Sequence, residues 1–355
     1  MPELNIELVS FGSTVHQADI ASFRERGLAV PHPYVSRLLH DRRAEWHWSR
    51  ALDASGRLLV GFALQLSRSR AVPWARIGNV ERIGRLLHAD SIPVVGAALV
   101  ATANRIPRLL WLDVQVFDED ADRRSLVGDS ILSVGGVRCS RHRSYSRTLV
   151  LDLRRSDDDL MKSVSQRARR KIREFNARSD STIRPLRDAA YVGRIRRLYE
   201  GAFRRTGGGV PPLNIEGVLA DAAAGNSELL GAFWSGRTAP DDLLAFAWSR
   251  FHGDHLGYDV AASERSDDLG TLAPGYALIE HLAAWGRLQG ATWMDLGGII
   301  GPDKAADHPL QGITNFKRAF TRQESIVTAE YQVVPDSMLA TVSRRLRSAA
   351  QLVRR

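Results

Sequence analysis

One order of secondary-structure elements occurs twice along this chain, and it limits the fold more than any other feature. Alternating and apolar runs in residues 1–153 predict antiparallel strands, a helix, a strand, a second helix and further strands. A similar order follows in residues 154–335, although the two halves share no obvious sequence identity. This order predicts an α/β (α+β) chain of two domains, each with a mixed central sheet flanked by helices, and a boundary near residue 153.

Residues 336–355 are predicted to form a separate basic helix with apolar positions along it. Such a helix can dock on the protein or lie on an anionic membrane surface, and the sequence leaves both open.

The charge of the chain predicts an anionic partner. The formal net charge is +9 and the sequence pI is about 10.2, which suits a nucleic acid, a membrane surface or a phosphorylated ligand. The single cysteine, Cys139, excludes an internal disulfide framework, and the ten histidines show no metal-ligand spacing. Without a leader-like N-terminus or a long apolar run, we expect a cytoplasmic protein.

Lysine is scarce in this chain, and one lysine lies in an unusual setting. Only Lys162, Lys171, Lys304 and Lys317 occur among 49 basic residues. A lysine offers a compact cation that can approach one oxygen atom, which the planar guanidinium does not. Lys317 follows Phe316 near the end of the Gly-rich segment 294–320, whereas Lys304 lies in a polar loop where composition alone explains it.

This segment resembles the peptidoglycan-bridge aminoacyltransferases, the FemABX family of tRNA-dependent peptidyl transferases. The family carries a strand that ends in Asp-x-Gly-Gly, then a loop, then Gly-[Ile/Leu]-x-x-Phe-Lys-x-x-Phe. The matching residues are Asp295-Leu296-Gly297-Gly298 and Gly312-Ile313-Thr314-Asn315-Phe316-Lys317-Arg318-Ala319-Phe320. A second match begins at Thr148, and the likeness is best over residues 146–334. The resemblance implies two tandem GNAT-like domains, whose element order is the one described above.

The resemblance also implies site residues. Phe316 and Lys317 match the family pair at the catalytic centre, where a lysine ammonium would stabilise a tetrahedral oxyanion and an aromatic ring would stack on the terminal adenosine of tRNA. Tyr258 matches a strand tyrosine that could contact the acceptor or assist proton transfer, although packing is the alternative. Arg204 and Arg205 resemble a substrate-facing helix end.

A basic helix from about Asp157 to Arg178 is the predicted tRNA contact. Six positive charges fall on three turns of it with no acid among them: Lys162, Arg167, Arg169, Arg170, Lys171 and Arg173. At 3.6 residues per turn, Arg167, Arg170 and Lys171 share one face, and Arg169 and Arg173 share another. Repelling charges on one helix favour a polyanion as partner, and a solvated face is the alternative.

Two other classes of protein compete with this interpretation. An acyl-CoA N-acyltransferase would bind pyrophosphate in an [Arg/Gln]-x-x-Gly-x-[Gly/Ala] turn at a helix N-terminus. Loop 265–274 lacks that spacing and carries two acids, and residues 123–129 miss it by one position. A non-catalytic nucleic-acid-binding protein would need a recognisable reading module, and none is visible.

The sequence therefore predicts an aminoacyltransferase with aminoacyl-tRNA as co-substrate and no other cofactor or metal. The acceptor is expected to be an amine of a peptidoglycan precursor or of a small molecule such as an antibiotic intermediate.

Overall fold

The structure is a computed structural model. It describes residues 4–26, 45–83, 89–140, 145–205, 209–234, 236–264, 272–301, 308 and 310–337. The predicted tail helix, apart from residues 336 and 337, lies outside these ranges, as do Lys304 and residues 265–271 of the loop compared with a pyrophosphate-binding turn.

The described residues form two compact units. One holds the chain up to Ser146 and again from Ile326, and the other holds Arg147–Ser325. The predicted boundary at 153 differs from this division, because the strand that begins at Arg147 already belongs to the second sheet. The strand Thr328–Val333, in turn, belongs to the first sheet.

The first unit is built on a seven-stranded mixed sheet. Its elements are β1 (Asn5–Ser10), α1 (Thr14–Glu25), β2 (Glu45–Leu52), β3 (Leu58–Arg68), β4 (Arg76–Ile83), α2 (Val95–Arg105), β5 (Leu109–Phe117), α3 (Ala121–Ser133), β6 (Val137–Cys139) and β14 (Thr328–Val333). The strand order is β1-β2-β3-β4-β5-β14-β6, with β4 and β5 parallel.

The second unit repeats this plan. Its elements are β7 (Arg147–Asp152), α4 (Asp157–Ser163), α5 (Gln166–Asn176), β8 (Ser181–Pro185), α6 (Val192–Arg205), α7 (Ile215–Ala223), β9 (Ser227–Trp234), β10 (Leu243–Phe251), β11 (His255–Ser263), α8 (Pro274–Leu288), β12 (Trp293–Gly298), α9 (Gln311–Arg318) and β13 (Glu324–Ile326). The strand order is β8-β9-β10-β11-β12-β7-β13, and β11 and β12 are parallel. In both sheets the parallel pair is fourth and fifth, and a strand out of chain order is sixth.

Local signals account for many of these boundaries. The turn between β2 and β3 forms because the Asp53 carboxylate accepts hydrogen bonds from the backbone of Ser55 and Arg57, at 2.9 and 3.0 Å, and Gly56 adopts a φ of 82°. Ser13, Asp120 and Asn214 cap the first turns of α1, α3 and α7.

Apolar side chains fill both faces of the second sheet. One cluster joins β10, β11 and β12 to α5 and α8, and the other joins β9 and β10 to α6 and α7. Along β10, Ala245 and Ala247 belong to the first cluster and Phe246 and Trp248 to the second, as strand alternation requires.

The predicted helix over 157–178 is wrong, because it is two helices. Ser156 caps α4, and Ser165 accepts a hydrogen bond from the Ala168 amide and caps α5. Val164 between them is extended, with a ψ of 140°. A serine at this position competes with the helical backbone for hydrogen bonds, so the chain stops and restarts.

The close approach of α8 to β11 generates a stability prediction. A Cβ atom at Gly286 would lie 2.6 Å from Leu256 Cγ, whereas a Cβ at Gly193 in α6 meets nothing nearer than 3.8 Å. We expect Gly286→Ala to lower the free energy of unfolding by about 1–3 kcal/mol through overpacking. Gly193→Ala should change it by less than about 1 kcal/mol and in the stabilising direction. Urea unfolding of both variants measures this, and equal effects would contradict the packing described.

Candidate active site

The parallel strands β11 and β12 separate in the middle of the second sheet. Only three residue pairs join them, and the last is Gly257 with Asp295. Beyond this point β11 continues along β10, and β12 continues along β7. Asp259 is the extra residue of a bulge, because Ser249 lies opposite Tyr258 and Trp248 opposite Val260. The sheet therefore opens where Tyr258 and the Gly-Gly end of β12 lie.

The end of β12 is fixed by a buried carboxylate. Asp295 is fully buried and accepts hydrogen bonds from the Thr148 hydroxyl and, at 2.8 Å, from the Gly297 amide. Gly297 has a φ of 76°, a left-handed conformation that side chains other than glycine rarely adopt. The Asp-x-Gly-Gly pattern thus encodes a turned strand end whose last carbonyl, that of Gly298, faces α9.

Lys317 binds this strand end from α9. Its side chain is buried, with 7% of the residue exposed, and Nζ donates a hydrogen bond of 2.8 Å to the Gly298 carbonyl. One turn earlier, the Thr314 hydroxyl accepts a hydrogen bond from the Ile300 amide. Burial lowers the pKa of Lys317 to about 8, although the negative charge of Asp295 acts in the opposite direction.

Phe316, the residue before Lys317 on α9, lies against the start of α8. Its ring centroid is 4.8 Å from that of Tyr276 and 5.6 Å from that of Phe320. A Cβ at Gly275 would lie 3.5 Å from the ring, so Phe316 covers the first turn of α8. Ala273 gives this turn no side-chain cap.

Tyr258 packs against the same cluster as Phe316 and Tyr276, and it is half-buried. Burial of the phenol raises its pKa, so Tyr258 keeps its proton at neutral pH. Tyr258 is the first residue of β11 beyond the last pair with β12. The structure thus brings Tyr258, Phe316 and Lys317 to one end of one sheet.

Arg204 and Arg205 do not join this group. They end α6, which packs on the opposite face of the sheet from Phe316. Arg204 forms an ion pair of 3.5 Å with Glu200, and Arg205 donates a hydrogen bond to the Ser263 carbonyl. Thr206 and Gly207, which follow them in the sequence, lie outside the described residues.

The basic residues of α5 do not group into the two predicted helix faces. The Lys171 ammonium lies 2.7 Å from Glu174, which also pairs with Arg170, and Arg169 donates to the carbonyls that end α4. The exposed guanidinium groups are those of Arg167, Arg170 and Arg173. These three define the exposed basic stripe of α5, and Lys171 does not belong to it.

Thr148 and Asp295 were not predicted as site residues. Both lie within the motifs on which the resemblance to the FemABX family rests. Their place in those motifs is the sequence signal that could have identified them as site residues. The hydrogen bond that joins them across β7 and β12 could not be predicted from the sequence.

No group of three or more His, Cys, Asp or Glu side chains in the described ranges could hold a metal ion. None of the described helices is long and apolar enough to cross a membrane.

Comparison with solved structures identifies the fold. The chain is similar to FemX, with a TM-score of 0.72 and 15% sequence identity over 95% of this chain and 99% of that one. It is also similar to L-PGS from Bacillus licheniformis, with a TM-score of 0.51 and 12% identity over 98% of this chain and 99% of that one. A conserved protein from Bacteroides thetaiotaomicron gives a TM-score of 0.53 and 12% identity over 94% and 100% of the two chains.

No protein-family model and no curated protein sequence matches the chain. At the identities above, the structural likeness establishes the fold, and the reaction has to be argued from the site. The predicted FemABX-like tandem GNAT fold is confirmed.

The burial of Lys317 predicts an unusual titration. With isotope-labelled lysine, one of the four lysine side-chain resonances should titrate at about pH 8 and be absent from Lys317→Arg. Asp295→Asn should lower this pKa further, since it removes the negative charge that favours the ammonium. Titration of Lys317 at the ordinary lysine pKa would contradict the burial described here.

Proposed function

We propose that this protein transfers an aminoacyl group from aminoacyl-tRNA to an amine and forms an amide bond. The observation that carries the proposal is the buried Lys317 ammonium, held 2.8 Å from the Gly298 carbonyl beside Phe316. The Phe-Lys pair and the Asp-x-Gly-Gly strand end are the residues on which the resemblance to the bridge-forming transferases rests, and they meet at one site.

The reaction needs few catalytic groups because the aminoacyl ester of tRNA is already activated. The acceptor nitrogen forms a bond to the ester carbonyl carbon, and the bond from that carbon to the ribose oxygen breaks. The nitrogen loses a proton, and the ribose oxygen gains one. In between, negative charge develops on the carbonyl oxygen, where a preorganised cation lowers the barrier.

Lys317 suits the oxyanion role. Only one of its three N–H donors is used by Gly298 among the described residues, so others can bind a substrate oxygen. With a pKa of about 8, most Lys317 side chains are charged at neutral pH. Tyr258, which keeps its proton, is the group that we assign to hydrogen bonding of the acceptor or of the leaving oxygen.

Phe316 suits a stacking role on the terminal adenosine of tRNA. The ring is half-buried, so part of it is exposed beside the opening between β11 and β12. Base–aromatic stacking tolerates any base, and the 3′ end is common to all tRNAs. For the tRNA body we propose the exposed basic stripe of α5. Arg204 and Arg205, on the opposite face of the sheet from Phe316, stay a prediction as substrate-binding residues.

The alternative function is acyl-CoA-dependent N-acyl transfer. One observation favours it, since the separated strands and the uncapped first turn of α8 are also a setting in which a pyrophosphate could bind. Two observations oppose it. Phe316 covers that turn at Gly275, and residues 123–129 of the first unit lie inside α3, whose first amides Asp120 already caps.

For the acceptor we propose an amine of a peptidoglycan precursor or of a small molecule such as an antibiotic intermediate. We propose a cytoplasmic location, where charged tRNA is available, and no cofactor besides it.

Donor choice can be tested by binding. We expect charged tRNA to bind with strong salt dependence and acetyl-CoA to bind poorly. Replacing Arg167, Arg170 and Arg173 together by alanine should reduce the slope of log K against log salt by up to about 0.9 per lost phosphate contact. Lys162→Ala is a matched control, since Lys162 is exposed on α4 and paired with Asp159. Tight acetyl-CoA binding together with weak, salt-insensitive tRNA binding would reverse the ranking of the two functions.

The oxyanion role of Lys317 can be tested by single-turnover transfer from pre-bound aminoacyl-tRNA. Lys317→Met should slow the chemical step by about 10² to 10³ and leave most tRNA binding intact. Lys317→Arg should also be slow, because the planar guanidinium cannot take the same position. The rate ratio of wild type to Lys317→Met should fall as pH rises through about 8, because the working form is the protonated one. A Lys317→Arg enzyme at full rate would refute this mechanism.

A further inference from the structure

The hairpin between β3 and β4 presents an apolar tip to solvent. Trp74 is 56% exposed and is the only aromatic residue among the exposed large apolar side chains of the described ranges. Ala71 and Pro73 beside it are exposed, and Val72 is half-buried. We call residues 69–75 the Trp74 tip.

The tip is held in one conformation by its own hydrogen bonds. The Ser69 amide donates to the Ala75 carbonyl at 2.9 Å, and the Ala75 amide donates to the Val72 carbonyl at 2.8 Å. The Ser69 hydroxyl accepts from the Val72 amide at 3.2 Å. These bonds hold the Trp74 backbone in place, so exposing the indole to a partner requires no rearrangement of the loop.

Four exposed arginines lie at the same end of the first sheet: Arg68, Arg70, Arg105 and Arg108. The first two flank the tip. The Arg108 carbonyl accepts a hydrogen bond from the Arg76 amide, and Arg105 ends the helix that leads to it. Within the described part of the chain, none of the four guanidinium groups has an ion pair or a hydrogen bond.

Acidic groups at this end are already engaged. Glu45 pairs with Arg76 and lies near His47, and the Asp336 carboxylate accepts a hydrogen bond from Asn104. With Arg76, five described arginines at this end outnumber these two carboxylates, so the surface around Trp74 is positive as well as apolar.

These two properties fit an anionic bilayer better than a nucleic acid. A base would use the indole ring alone, and Ala71, Val72 and Pro73 would gain nothing from phosphates. At a bilayer surface, tryptophan occupies the interfacial region, small apolar neighbours enter with it, and flanking arginines bind anionic headgroups.

The course of the chain after β14 agrees with a bilayer at this end of the first sheet. Val333 at the end of β14 pairs with Leu112 near the start of β5, and the Asp336 amide donates to the Asn104 side chain. The chain thus reaches Ser337 at the arginine-bearing end of the sheet. The segment that follows is the one whose sequence predicts a basic helix suited to an anionic surface.

We propose that the Trp74 tip, with Arg68, Arg70, Arg105 and Arg108, is an interfacial contact that holds the protein on anionic lipid bilayers. The proposal does not depend on the reaction assigned above.

The test is partitioning of the full chain onto phosphatidylcholine vesicles with and without phosphatidylglycerol. Wild type should bind the anionic vesicles and not the neutral ones. Trp74→Ala should weaken binding by about 20-fold to 200-fold, because about half of the tryptophan side chain becomes buried. Arg68→Ala with Arg70→Ala should weaken it about fivefold per arginine, and added salt should reduce this difference.

Two matched controls lie in the second unit. Leu288→Ala removes an apolar side chain that is 85% exposed, and Arg196→Ala with Arg197→Ala removes two exposed arginines. Neither should change vesicle binding, and thermal unfolding should be the same for all four variants. Three results would overturn the proposal: no binding of wild type to anionic vesicles, equal loss in tip and control variants, or a loss of tRNA binding in the tip variants while vesicle binding persists.

Discussion

A lysine ammonium removed from water needs an oxygen atom within reach, and the candidate site is arranged around that requirement. Lys317 finds the Gly298 carbonyl, which faces it because Gly297 turns the chain in a left-handed conformation. Asp295 holds that turn through the Gly297 amide and the Thr148 hydroxyl, and its charge also favours the ammonium. Without the turned end of β12, the buried cation would have no partner at this position.

The separation of β11 and β12 gives this cation a space in which to act. A parallel pair that stayed hydrogen-bonded to its end would close the sheet beside Tyr258. The bulge at Asp259 prevents this, because it changes which face the following residues of β11 occupy. Tyr258 and Ala261 consequently pack on the α8 side, whereas Val260 and Ala262 pack on the α6 side.

Features that depend on neighbouring residues could be predicted from the sequence, and features that depend on distant pairing could not. Helix α8 and the Asp53–Gly56 turn follow from apolar periodicity and local hydrogen bonding, so nearby residues suffice to predict them. The pairing of Lys171 with Glu174 could also be predicted, because Glu174 follows Lys171 by three residues on the same helix. In contrast, packing between segments far apart in the chain places β14 next to β5. Such packing also decides on which face of the second sheet α6, and with it Arg204, lies.

The place of β14 determines when the first unit can be completed during synthesis. Strands β5 and β6 precede the second unit in the chain, but the strand that lies between them follows it. The whole second unit must be translated before β14. Until then, the backbone groups along the edge of β5 lack the strand with which they pair. Nascent first units are therefore exposed to misassembly with each other while the second unit is translated, a hazard that a chain with its strands in sequential order would avoid.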